Sequence, residues 1–140
     1  MKKIILSLIA IFVFSFSFAQ REKNISQKEL TTNAKKAIEY LKKELKLKGT
    51  KLTSVTKAFT KYAENMVSLN EKISKKDASA KGNSEALVAN KKAKFKMMND
   101  FLKKRDGDAT KGFSKKEIEK YRKSSRAIHP FTLRIKEMKK

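Results

Sequence analysis

The sequence predicts an all-α protein of about four amphipathic helices, arranged as extended or cradle-like helical hairpins. Three observations predict it. Pro130 is the only proline, and the four glycines fall at segment boundaries. Lys, Ala, Leu and Glu are abundant, as helices prefer. Apolar residues recur at intervals of three and four, with no alternating run that would mark a strand.

The first helix is expected over residues 27–47. Leu30, Ala34, Ile38, Leu41 and Leu45 line one face, and Lys28, Lys35, Lys42 and Lys46 fall opposite. Ser26 and Glu29 have the spacing of a capping box, with Ile25 and Leu30 as its hydrophobic staple. Gly49 is the expected stop.

The second helix, expected over residues 54–75, carries the sharpest pattern in the chain. Val55, Phe59, Tyr62, Met66, Leu69 and Ile73 alternate steps of four and three, which makes a heptad seam. A seam that narrow packs along another long helix, either in cis or in a homodimer. Charged and small residues over 76–83 then predict a flexible connection.

A third helix over residues 84–105 uses Leu87, Val88, Phe95, Met98, Phe101 and Leu102. Lys91 and Lys94 interrupt its stripe. Either these lysines snorkel outward or the face borders a groove. The fourth helix starts after Ser114 and uses Ile118 and Tyr121. Pro130 breaks or kinks its far end, and Phe131, Ile135 and Met138 are expected in a short final turn. Both ends of the domain are expected to fray.

Residues 1–19 read as a signal peptide. Lys2 and Lys3 precede an apolar run from Ile4 to Phe18, and Ser17 and Ala19 place small residues before a cleavage point at Gln20. The expected mature protein, residues 20–140, is a single basic helical domain in the periplasm or medium. The chain has no cysteine, so neither a disulfide framework nor a lipidated cysteine is available.

The chain has 36 basic residues, or 34 without Lys2 and Lys3, against 14 acidic ones, so the mature net charge is +20. Such a charge attracts polyanions. Anionic lipid headgroups, lipopolysaccharide and acidic or unfolded proteins are the expected partners, and export argues against nucleic acid. The excess of lysine over arginine suits diffuse attraction rather than bidentate recognition. Enzyme chemistry is not expected. His129 is the only histidine, there is no thiol, no glycine-rich phosphate loop occurs, and no cofactor is implied.

One stretch has the spacing of a calcium loop. In DGDATKGFSKKE, Asp106, Asp108 and Thr110 stand at positions 1, 3 and 5, with the Gly112 carbonyl at 7 and Glu117 at 12. Position 6 is Lys111, where the sharp turn wants glycine, and Lys103, Lys104, Arg105, Lys115 and Lys116 surround the stretch. Its second half also repeats a helix start. Ile25-Ser-Gln-Lys-Glu-Leu30 and Phe113-Ser-Lys-Lys-Glu-Ile118 share one pattern, which capping explains without an ion. The acidic side chains are expected to point into water.

Leu52-Thr-Ser-Val-Thr56 before the heptad helix, and Phe113-Ser-Lys-Lys-Glu117 before Ile118 and Tyr121, resemble the paired Leu-Thr-x-x-Gln motifs of the periplasmic Spy/CpxP-like chaperones. Thr56 stands where that pattern has its first glutamine, and Phe113, Ser114 and Glu117 replace the letters of the second. The resemblance implies a dimeric, cradle-shaped helical protein that holds unfolded clients without ATP. Lys61, Lys91, Lys94, Phe95 and Met98 are the expected client or polyanion surface. Three functions therefore stand open: a holdase-like chaperone, an envelope polyanion binder and a calcium-binding module.

Overall fold

The computed structural model describes residues 25–136; the expected signal sequence and Met138 lie outside them. The described chain is all-α, with helices α1 (Gln27–Glu44), α2 (Gly49–Ser79), α3 (Ser84–Ala109) and α4 (Lys115–Ser125). Its only β-type pairing is an isolated antiparallel bridge between Ile128 and Ile135.

α1 begins where the sequence predicts. The Ser26 hydroxyl accepts from the Glu29 backbone N–H at 3.1 Å. Only half of the expected box forms there, because the Glu29 carboxylate reaches Arg134 instead. α1 stops at Glu44, short of Gly49. Lys46 takes the left-handed conformation at φ 51°, and the Leu47 N–H turns back to the Lys42 carbonyl at 3.0 Å. That is a Schellman closure with lysine where glycine is commoner, and burial of Leu47 holds it. Gly49, at φ 58°, then opens α2.

α2 is the longest element, 31 residues or roughly 46 Å. All six seam residues from Val55 to Ile73 are buried within the single chain. The seam closes in cis, against α1 on one side and α3 on the other. Covering each such side chain contributes on the order of 1.5–3 kcal/mol, more than a solvated seam would provide. α2 also runs past its expected end to Ser79. The connection to α3 shrinks to residues 80–83, where Gly82 sits at φ 88° and Asn83 caps α3 by accepting from the Ala86 N–H at 3.1 Å.

α3 packs along α2 more extensively than any other helix pair, yet only Met98, Arg105 and Ala109 are buried on it. Val88, expected on its core stripe, is 42% exposed. α1, at 18 residues, is too short to flank the whole α2–α3 hairpin. From residue 74 to residue 97 nothing is buried. This part of the hairpin is a two-helix arm with solvent on most of its surface.

α4 begins with a complete capping box. Ser114 Oγ accepts from the Glu117 N–H at 3.2 Å, and Glu117 Oε2 accepts from the Ser114 N–H at 2.8 Å. The chain after α4 makes one turn at residues 130–132, where the Leu133 N–H donates to the His129 carbonyl at 3.0 Å, but no further helix. It folds back as a strap over the other helices, with Ile128 and Leu133 buried. The Tyr62 hydroxyl donates to the Pro130 carbonyl at 2.5 Å, and the Asn33 amide to the Thr132 carbonyl at 2.9 Å. His129 Nδ1 accepts from the N–H groups of Phe131 and Thr132, both at 3.2 Å, which turns the strap at its tip.

Candidate functional site

The candidate surface residues divide between core and solvent. Lys61 and Lys91 are exposed, whereas Lys94 and Phe95 are half-buried. Met98 is buried in the core. The Phe95 ring meets Phe131 of the strap edge-on at 6.1 Å between centroids. The apolar members of the set thus serve the fold, and its lysines border that packing. Lys94 sits on the α3 face turned toward α2, where its register places it with Leu87 and Met98.

The twelve residues from Asp106 to Glu117 do not form one loop. α3 continues through Ala109, so Asp106, Gly107 and Asp108 belong to its last turn. Asp106 Oδ1 accepts from Arg105 Nε at 3.1 Å, from Arg105 Nη2 at 2.9 Å and from the Tyr121 hydroxyl at 2.7 Å. Asp108 lies 4.0 Å from Lys111, and the Thr110 hydroxyl donates to the Asp106 carbonyl at 2.7 Å. Gly112 has φ 79° and shapes the turn into α4. Glu117 bonds Lys51 Nζ at 2.6 Å as well as closing its capping box. Among the described residues no cluster of three or more acidic or histidine side chains is placed to hold a metal.

Arg105 is the feature that sequence reasoning missed. It reads there as one of five surface cations around a loop. In the structure its side chain is 4% exposed, and its guanidinium lies over Phe59 at 4.6 Å and Tyr62 at 5.0 Å. Its Nη1 is buried with no hydrogen-bond partner. The wide apolar face of α2, with rings at positions 59 and 62, makes this stacking possible. The sequence signal was faint: Arg105 falls one heptad after Met98 on the seam of α3.

Two titrations are set by this packing. Burial pushes the Tyr121 phenol well above its ordinary range, with the Asp106 carboxylate adding to the shift. Glu117 is held below the usual carboxylate range, first by its hydrogen bond from Lys51 and then by the Ser114 N–H.

The outer surface carries the charge. Between residues 74 and 97, lysines 75, 76, 81, 91, 92 and 96 are exposed, and the acids of that stretch are Asp77 and Glu85. Asp77 is engaged by the Asn90 amide at 3.0 Å. Lys28, Lys35, Lys36, Lys42 and Lys43 form an exposed ridge on α1. The side chains at this surface offer ammonium groups and two apolar outliers, Val88 and Met97.

No family model, curated protein or solved structure matches this chain. The charged outer surface, rather than kinship, is therefore what speaks to function. No described helix is long and apolar enough to cross a membrane.

Proposed function

We propose that the protein is an exported, non-enzymatic binding protein whose partners are anionic surfaces of the cell envelope, such as lipid headgroups or lipopolysaccharide. One observation carries the reading. The α2–α3 arm from 74 to 97 buries none of its residues while exposing six lysines against two acids. Six exposed cations on an element that contributes so little to the core are not explained by folding. Their mutual repulsion disfavours the compact state unless a polyanion neutralises them. Lysine is suited to this role because it is a mobile point charge that needs no fixed partner geometry.

The test is co-sedimentation of the mature chain with anionic and with neutral vesicles. Binding is expected to anionic vesicles only, and to fall steeply once ionic strength shrinks the screening length to about 3 Å near 1 M salt. Replacing Lys75, Lys76 and Lys81 by serine is expected to weaken it severalfold. Equal retention on neutral vesicles removes the reading.

A second reading, the client-holding one implied by the likeness to Spy/CpxP-like chaperones, is favoured by Val88 and Met97. Both are large apolar side chains exposed on the arm beside its lysines. Charge would speed the encounter with an unfolded acidic client, and these side chains would retain it. Suppression of aggregation of a reduced client, lost on substituting Val88 and Met97 by serine, is the expected outcome. Absence of suppression at every ratio disposes of it.

A further inference from the structure

A concavity away from the arm brings together four lysines from parts of the chain that are distant in sequence. It lies where the turn between α1 and α2 meets the start of α4, and its volume is ≈ 540 Å³. Lys46 and Lys48 come from the turn, Lys51 from the first turn of α2 and Lys120 from α4. Phe113 closes one side, with Lys51 Nζ 5.9 Å from its ring centre. Glu117 is the only acid of the lining, and it is already taken by Lys51 and by the Ser114 N–H. Among the described residues no acid lies within ion-pair distance of Lys46, Lys48 or Lys120.

We propose that this concavity binds a phosphate-bearing group. Three lysines of the lining have no acid within ion-pair distance, and the hollow has room for a small oxyanion with its first waters. A phosphomonoester brings up to two negative charges and several acceptor oxygens, which matches that set better than a single carboxylate does. The opening of α2 adds to the same field. Its N-cap residue, Lys48, makes no side-chain cap, its first turn holds no acid, and Gly49, Thr50 and Lys51 of that turn line the hollow. Glu117 fixes Lys51 in place and lets the other three lysines turn to the ligand. The proposal rests on the anionic-partner reading for its source of phosphate, a lipid headgroup or a soluble phosphate, but the site itself is tested by the bare anion.

The experiment titrates the full mature chain, uniformly labelled with ¹⁵N, with inorganic phosphate and then pyrophosphate. Saturable amide shifts are expected at 46–51 and 113–120, with much smaller ones along α1. Vesicles of phosphatidylcholine with and without phosphatidic acid form the second arm. A triple variant, Lys46→Ser, Lys48→Ser and Lys120→Ser, is compared with Lys28→Ser, Lys35→Ser and Lys36→Ser, which removes the same charge elsewhere. The first is expected to lose phosphate affinity more than about tenfold and the second to change it little. Local shifts together with vesicle binding that the first triple weakens support a headgroup site. Local shifts without vesicle binding support a soluble phosphate, and they sink the envelope reading while the site survives. Shifts spread evenly over all lysine-rich faces, or equal losses in the two triples, overturn the site and leave the envelope reading standing.

Discussion

The Tyr62 hydroxyl donates to the Pro130 carbonyl at 2.5 Å, so the middle of the longest helix holds the segment that comes after the last one. With Asn33 doing the same to Thr132, two helices grip the strap by its backbone as well as by its buried side chains. A segment without helix or strand needs such partners, because its carbonyls are otherwise buried without ladder bonds.

Replacing Tyr62 by Phe should therefore loosen the strap while leaving the ring under Arg105. The Pro130 carbonyl loses a donor in a half-buried place, which costs about 1–3 kcal/mol. Urea unfolding is expected to show a lower midpoint with an unchanged slope, and hydrogen exchange should rise first at residues 128–135. A variant as stable as the parent would show that the bond contributes nothing net.

Much of this architecture was legible in the letters, for identifiable reasons. The 4-3-4-3-4 spacing from Val55 to Ile73 can be satisfied only by a long helix with a continuous partner, and Ser114 with Glu117 marks a helix start locally. The positions that escaped depend on pairings across the chain. Arg105 lies buried between two aromatic rings and the Asp106 carboxylate, but its letter is cationic, so composition placed it outside. Val88 has a core-forming letter, but α1 does not reach it. The strap was invisible because its hydrogen bonds join residues 68 and 99 positions apart, and no local pattern encodes them. Of the candidate surface, the exposed lysines were readable from charge alone. Phe95 and Met98 were assigned to it because an interrupted stripe looks the same whether it borders a groove or a strap.

Arg105 makes a second prediction, in which the conservative change is the worse one. One guanidinium nitrogen is buried with no partner, so part of its desolvation cost is never recovered. Methionine fills a similar volume against Phe59 and Tyr62 without that cost. Lysine cannot stack flat and would bury a compact ammonium. Arg105→Met is expected to cost less than about 1.5 kcal/mol, and Arg105→Lys about 2 kcal/mol or more. Chemical denaturation of both variants decides it, and a better-tolerated lysine would overturn the argument.

Glu117 sets an acid limit. Its carboxyl is held low by Lys51 and the Ser114 N–H, so the folded state binds its proton less tightly than the unfolded chain does. The stabilisation is then complete above the ordinary carboxylate range and is lost as pH falls through the lowered value. Melting temperatures of the parent and Glu117→Gln should differ at pH 7 and converge at about pH 3 or below. A gap that stays constant over that range would mean the Lys51 pair is not felt by the folded state.

Tyr121 sets the alkaline limit by the opposite sign. Tyr121 is 1% exposed and its hydroxyl donates to Asp106, so the fold favours the neutral form. Burial raises the folded value above that of an unfolded tyrosine, about 10. Stability from this group is therefore full below about pH 10 and declines above it, as the unfolded chain gives up a proton the folded one keeps. Followed by phenolate absorbance, Tyr121 is expected to ionise only together with loss of helical circular dichroism. Tyr121→Phe removes the proton and with it this part of the alkaline decline, but it also leaves Asp106 with Arg105 alone. The variant should thus be less stable than the parent at neutral pH and lose less of its stability above about pH 10. If Tyr121 instead ionised reversibly with the helices intact, its hydroxyl would have to reach water, and the packing of α4 against the end of α3 would be looser than the Asp106 contact requires.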